Sequence, residues 1–558
     1  MSEKKYFEQQ LLNSIEYQKF RTKLDKKYSD YKFTSSNERL LEGLYNVKLG
    51  ACANPKLIQE MIFPSSAKMG KITSFRPITP SINDRQRRAV SMGLAMENLM
   101  VLQGPPGTGK TTFILELIRQ LKKRNSATRI LITSQSHLAV DNVIEGFWKK
   151  KEFLDQLARI KTKGAKAPDP GETFEPKFIS FEEDLKCYSE YAIFKKIADG
   201  ADEKLKKILN SFDNDLNERY GNDFLGNNIS LILTNKSIVG ITCNSMPGCH
   251  FENGDPYDYV IVDEVGKFSF AELINVARVA RRLILIGDTK QLPAVLPDED
   301  KDQGIKFRDE ESFNADAYDY LVANNYIDFL FNNINKECKT ALNLQYRMSN
   351  AIGTFISKQF YNGEVENGVN REVSEAINFI TYNTEVLSAT SDDEFEKETS
   401  KRENATEVAI ISKLLDTMIR IDGIDPKNIA IIVPYRDQVN IITKSIKEIP
   451  SERISTIDSY QGKEFDYIIF GCTRTAKPSS FSDDAKRINV AISRAKEKVY
   501  VIGHWNMVLK TTNLLALYND PNCTKWIYFD GEIKKKGSFS FSRTKMNQLN
   551  RRCDKVIK

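Results

Sequence analysis

Histidine is scarce in this chain, and its cysteines are unpaired in sequence. Three histidines in 558 residues (His137, His250 and His504) are too few for a His-rich metal centre and argue against a Ser-His-Asp hydrolase. None of the eight cysteines forms a C-x-x-C pair. The nearest two, Cys243 and Cys249 beside His250, lack a second half at ligand spacing. Such usage fits thiols kept reduced, in a cytoplasmic or nuclear setting. No run of 18 apolar residues occurs, which argues against a membrane-spanning helix. The opening MSEKKYFEQQ has no apolar centre of the kind a signal peptide needs. Charge of one sign is also lacking: 81 Lys and Arg against 75 Asp and Glu leave +6, a balance that permits nucleic acid without demanding it. What remains is an ordinary globular composition, 41% apolar and 28% charged. This length predicts about three to five domains or subdomains.

Residues 1–80 read as a helical leader, with helices over 37–47 and over 54–62, where Asn54 caps and Pro55 suits the first turn. From residue 81 the pattern changes. Short apolar runs at 99–102, 129–133, 237–242, 259–262 and 282–286 alternate with amphipathic helices, the pattern of a buried parallel sheet. A charged stretch, 148–229, interrupts the series and reads as a helical insertion. It opens with a lysine-rich cluster that suits either a solvated face or a strand-binding one. The first α/β domain thus takes 81–147 and 230–336. A second series, with runs at 429–433, 453–457, 467–472 and 498–502, defines another over 337–533. Residues 388–404 read as an acidic surface loop and 534–558 as a solvated basic tail.

The chemistry begins at Gly104, Pro105, Pro106, Gly107, Thr108, Gly109, Lys110 and Thr111, set between an apolar strand and a helix opening at Thr112. That is the context of a P-loop. Glycines let backbone N–H groups turn onto phosphate oxygens, and the helix N-terminus adds partial positive charge. Lys110 reaches the terminal phosphates, and the Thr111 hydroxyl suits Mg²⁺. The run Tyr259-Val-Ile-Val ends in Asp263 and Glu264. Asp263 fits a Mg²⁺ ligand and Glu264 the base that activates water. Gln291, beyond the next strand, suits either a γ-phosphate sensor or a plain turn.

These and further blocks resemble the superfamily 1B helicases, the 5′→3′ branch, and within it the nonsense-mediated-decay helicase and senataxin group. Ile82-Asn-Asp-Arg-Gln86 resembles the Q motif, Ser134-Gln-Ser136-His137 motif Ia, and Gly287–Pro293 motif III. Leu344-Gln-Tyr-Arg347 resembles motif IV, Asp458–Glu464 motif V, and Arg487–Lys496 motif VI. The resemblance covers roughly residues 80–147 and 230–510. It implies two tandem RecA-like domains that use ATP and Mg²⁺. Arg347 and Arg494 become γ-phosphate arginines. Gln86 becomes an adenine contact, Glu464 a ribose contact, and Tyr435 a base-stacking ring, although Tyr435 suits the core equally. Ser136, His137, Thr242, Thr456 and Ser459 become contacts to a single strand of DNA or RNA.

The sequence departs from the group in four places. Motif II continues Val265-Gly266, where Ala and a polar residue are usual. His137 stands where Asn is usual. Ser349-Asn350 replaces His-Pro after Met348. The leader is short for the β-barrel and stalk that the relatives carry, so strand separation is expected to involve the insertion or a protein partner bound there or on the leader. The alternative function is a nucleic-acid-stimulated NTPase that recruits partners without unwinding. A dinucleotide dehydrogenase is disfavoured, since no G-x-G-x-x-G follows a strand.

Overall fold

The computed structural model describes residues 22, 35–160, 236–245, 256–294, 326–382, 402–460, 462–475, 484–529 and 531–536. They fall into two compact units. The first holds residues up to Gly104, Lys110–Thr289 and Pro293–Leu342; the second holds Pro105–Gly109, Lys290–Leu292 and the residues from Asn343 onward.

The first unit is built on strands β1 (Leu99–Gln103), β2 (Ile130–Ser134), β3 (Leu157–Ile160), β4 (Ile238–Thr242), β5 (Tyr259–Val262), β6 (Leu283–Gly287) and β7 (Lys339–Ala341). Their order is β3-β4-β2-β5-β6-β1-β7, with every pairing parallel. Alternate side chains of β1 serve opposite cores. Leu99 and Val101 pack with Leu57, Met61, Leu273 and Phe331, whereas Met100 and Leu102 pack with Val90, Phe113, Leu117 and Ile144. Burial on both faces is why these strands read as continuous apolar runs. Each fully buried aliphatic side chain contributes about 1.5–3 kcal/mol.

Both expected leader helices form, as Ser35–Lys48 and Pro55–Ile62. Asn54 caps the second by accepting from the N–H groups of Lys56 and Leu57, and its amide donates to Asn98 Oδ1 at 2.9 Å. Leu57 and Met61 lie in the first unit's core, so this part of the leader is integral to that unit.

The second unit adds a two-stranded ribbon, β8 (Leu344–Gln345) with β9 (Glu366–Asn367), and a second seven-stranded sheet. That sheet contains β10 (Ile377–Tyr382), β11 (Ile429–Val433), β12 (Ile454–Thr456), β13 (Phe465–Gly471), β14 (Ala495–His504), β15 (Cys523–Phe529) and β16 (Glu532–Lys535). The order is β12-β11-β13-β14-β10-β15-β16, and only β16 runs antiparallel. Its two faces are again separate cores: Ala430 and Ile432 serve one, Ile429, Ile431 and Val433 the other.

Three boundaries move. β3 belongs to the first sheet although it lies inside 148–229. β7 pairs with β1, so the first unit runs to Leu342 and not 336. Lys534 and Lys535, read as tail, are strand residues of β16. Residues 161–229 of the insertion, 388–401 of the acidic segment and 537–558 of the tail lie outside the described residues. No described helix is long and apolar enough to cross a membrane.

Candidate nucleotide site

A parallel sheet delivers the loops after its strands to one edge, where α/β folds bind ligands. β1 is followed by the P-loop, with the Gly104 N–H donating to Gly287 O at 2.8 Å. Gly107 and Gly109 have φ of 72° and 80°, the left-handed region that turns successive N–H groups inward. Thr108 ties its hydroxyl to Pro105 O at 2.8 Å. The helix then opens at Lys110, whose Nζ folds back onto Gly104 O at 2.6 Å. A Cβ on Gly104 would lie 2.5 Å from Lys110 Cγ, so this glycine gives the lysine stem its room. Thr111 and Thr112 are half-buried in the first turn.

Asp263 and Glu264 follow β5. Asp263 is buried. Burial chiefly, with Glu264 beside it, pushes its carboxyl up to about 6 against the pull of Lys110. Its Oδ1 accepts the Glu264 N–H at 2.8 Å. Glu264 has φ of 52°, and a non-glycine residue held there stores strain of the kind found at functional sites. Its Oε2 is buried without a hydrogen-bond partner. Two adjacent carboxylates, Asp263 buried and Glu264 half-buried with one unsatisfied oxygen, are a hard-oxygen donor set that suits Mg²⁺. Val265 sits where a Cβ on Gly287 would approach its Cγ1 to 2.7 Å. The bulkier residue after the acid pair is therefore accommodated by a glycine on β6. Sequence reasoning missed Gln103, which donates to Asp288 Oδ1 at 2.7 Å; its signal was a polar residue closing an apolar strand.

In the second unit, Arg494 is 2% exposed, and each of its three guanidinium nitrogens has an acceptor. It donates to Val490 O at 3.1 Å, Lys463 O at 3.3 Å and Gln291 Oε1 at 3.1 Å. Arg347 reaches Glu464 Oε2 at 2.6 Å and Ser493 O at 3.2 Å. The other Glu464 oxygen pairs with Lys496 at 3.2 Å. Burial raises the Glu464 carboxyl, but Arg347 and Lys496 outweigh it and hold the group below its usual range. The structure thus brings Gln291 to Arg494 and Glu464 to Arg347. Glu464 here holds an arginine in place, beyond the ribose contact expected of it. Tyr435 is buried, with the Arg402 guanidinium 5.0 Å from its ring centre. Gln86 is also buried; it completes a capping box with Asn83, accepting that N–H at 3.1 Å.

The expected strand contacts follow strand ends too. Ser136 and His137 begin the helix after β2, and Thr242 ends β4, buried. The Thr456 and Ser459 hydroxyls lie 3.1 Å apart at the end of β12.

Comparison with known proteins agrees with this layout. Two profiles, each described as an AAA domain, match residues 81–228 with 195–298, and 326–506. An uncharacterized ATP-dependent helicase of Methanocaldococcus jannaschii is 25% identical over 77% of this chain and 68% of its own length. The DNA polymerase alpha-associated DNA helicase A of Saccharomyces cerevisiae is 26% identical over 84% of this chain and 72% of its own. The ATP-dependent helicase upf1 of Schizosaccharomyces pombe is 25% identical over 90% of this chain, which spans 51% of that protein.

Proposed function

The chain belongs to the superfamily 1B helicases, ATP-hydrolysing enzymes, and from that premise we propose that it couples Mg²⁺-ATP hydrolysis to 5′→3′ movement along single-stranded DNA or RNA. The observation that carries this reading is the carboxyl edge of the first sheet. There Gly104, at the end of β1, and Lys110, whose Nζ bonds the Gly104 carbonyl, share one edge with Asp263 and with Glu264, whose Oε2 is unsatisfied.

Backbone N–H groups of Gly107 to Lys110 cradle the phosphates. Lys110 leaves Gly104 O for the β- and γ-phosphates. Thr111 and Asp263 would hold Mg²⁺, which would supply charge neutralisation for the phosphates. Glu264 takes the proton of the attacking water. Arg347 and Arg494 stabilise charge on the γ-phosphoryl in the transition state, and Gln291, bonded to Arg494, reports its presence. Gln86 and Tyr435 serve the base. Ser136, His137, Thr242, Thr456 and Ser459 grip the strand backbone, a grip that carries no sequence information. A protein partner on the leader or the insertion would assist strand separation. The recruiting NTPase is not favoured, because the relatives above are named as helicases.

The test compares ATP turnover with and without a single strand, and opening of duplexes carrying a 5′ or a 3′ tail. Stimulated turnover and opening from the 5′ tail are expected. Opening from the 3′ tail alone would overturn the direction, and turnover without any opening would restore the recruiting reading.

A further inference from the structure

β3 carries a charge at the third of its four positions. Arg159 is 2% exposed, and a buried guanidinium is tolerated only where its hydrogens are matched. Its Nε meets Asp141 Oδ1 at 2.5 Å. Its Nη1 donates to Ile160 O at 2.6 Å and lies 3.4 Å from Gly240 O. Its Nη2 lies 3.1 Å from His137 Nδ1. His137 and Asp141 are four residues apart on the helix His137–Trp148, hence on one face. Unlike the arginine beneath it, His137 is exposed.

A guanidinium has donors only. The Nδ1 it meets must therefore accept, which leaves the ring proton on Nε2. A doubly protonated ring would set one donor against another at this distance. We propose that Arg159 is a positioning residue that holds His137 as the neutral Nε2–H tautomer, aimed as a single donor at a phosphate oxygen of the bound strand. Asp141 holds Arg159 in turn. The group this chain resembles usually has Asn at this place, a neutral side chain with an N–H donor. The buried arginine makes histidine an equivalent of that carboxamide rather than an added cation. The inference rests on the reading of Ser136-His137 as strand-contacting.

Two measurements test it. In protein labelled with ¹⁵N-histidine, the three histidines are assigned by difference from His137→Ala, and the tautomer of His137 is read without any strand present. Unprotonated Nδ1 with protonated Nε2 is expected, giving way to a tautomer mixture in Arg159→Met. A protonated Nδ1 in the parent protein overturns the proposal, whether or not the variant folds. Second, single-strand affinity is measured against salt for the parent, His137→Ala, Arg159→Met and the double variant. Each single change should weaken binding about three- to tenfold, the range of one hydrogen bond. The double variant should add little to either. The slope of log affinity against log salt should stay unchanged in His137→Ala, whereas loss of a cationic contact would lower it by about 0.7 on a single strand. Additive losses, or a reduced slope, overturn the proposal. If the parent binds no strand, the proposed function fails, while the tautomer measurement still decides the role of Arg159.

Discussion

The Nη2 of Arg494 donates to Oε1 of Gln291 at 3.1 Å, which joins the motif VI arginine to the motif III glutamine. The arginine's other donors rest on backbone carbonyls of Val490 and Lys463. These three acceptors fix its side chain, and on the proposed reading they preorganise its charge for the transition state.

Arg494→Ala should lower kcat by about 10²–10³-fold with a much smaller change in KM. Gln291→Ala should lower kcat less, because two of the three acceptors remain. Steady-state ATP hydrolysis with saturating single strand measures both. Equal losses in kcat and affinity would instead mark Arg494 as a ground-state contact.

Glu264→Gln should bind ATP as the parent does and hydrolyse it slowly. The amide keeps the shape but cannot take the proton. Nucleotide affinity by fluorescence titration, set beside single-turnover hydrolysis, separates the two steps. Near-parental turnover would remove Glu264 from the role of base.

Gly104→Ala should fold normally and bind ATP about tenfold or more weakly. The added methyl meets the Lys110 stem at 2.5 Å and 2.6 Å and displaces a charged donor, which is worth about 1.5–3 kcal/mol. Matched circular dichroism with weakened nucleotide binding is the expected pair of results.

Glu407 should give the chain a pH-dependent stability. It is fully buried in the second unit. Both its oxygens accept the Thr473 N–H at 2.9 Å, and the Tyr382 hydroxyl lies at 3.3 Å. Burial pushes its carboxyl from 4.5 up to about 8. Between those values the folded chain holds a proton that the unfolded chain has lost, so stability falls as pH rises from 4.5 to 8. At 1.36 kcal/mol per pKa unit the effect is on the order of a few kcal/mol. Glu407→Gln, which mimics the protonated form, should flatten that decline. Urea unfolding at pH 6 and pH 8.5 checks it, and parallel pH dependence in parent and variant would exclude Glu407 as the source.

The sheets were legible in the sequence because strands buried on both faces read as unbroken apolar runs; β1, β5 and β11 were placed to within a residue. β3 escaped because Arg159 breaks its run, and only its pairing with Asp141 across the helix shows why a charge can sit there. β7 escaped because its three residues, Lys339, Thr340 and Ala341, are half-buried or exposed and carry no hydrophobic signal. Motif spacing singled out the acidic pair, the loop lysine and both arginines as candidates. It could not show that Gln86 caps its own helix or that Glu464 clamps Arg347, since those bonds depend on side-chain direction and on neighbours distant in sequence.

The antiparallel β16 has a consequence for handling the protein. It covers the outer edge of β15, pairing Trp526 with Lys535 and Tyr528 with Ile533. Lys535 also meets Glu375 at 2.6 Å and lies over the Trp526 ring at 5.8 Å. Truncation before Gly531 would bare a seven-residue aromatic edge, Cys523–Phe529, as a template onto which another chain could add a strand. With β16 in place, the sheet instead ends in a short strand bearing Lys534 and Lys535, whose charges discourage further addition. The start of the basic tail is thereby a guard against aggregation.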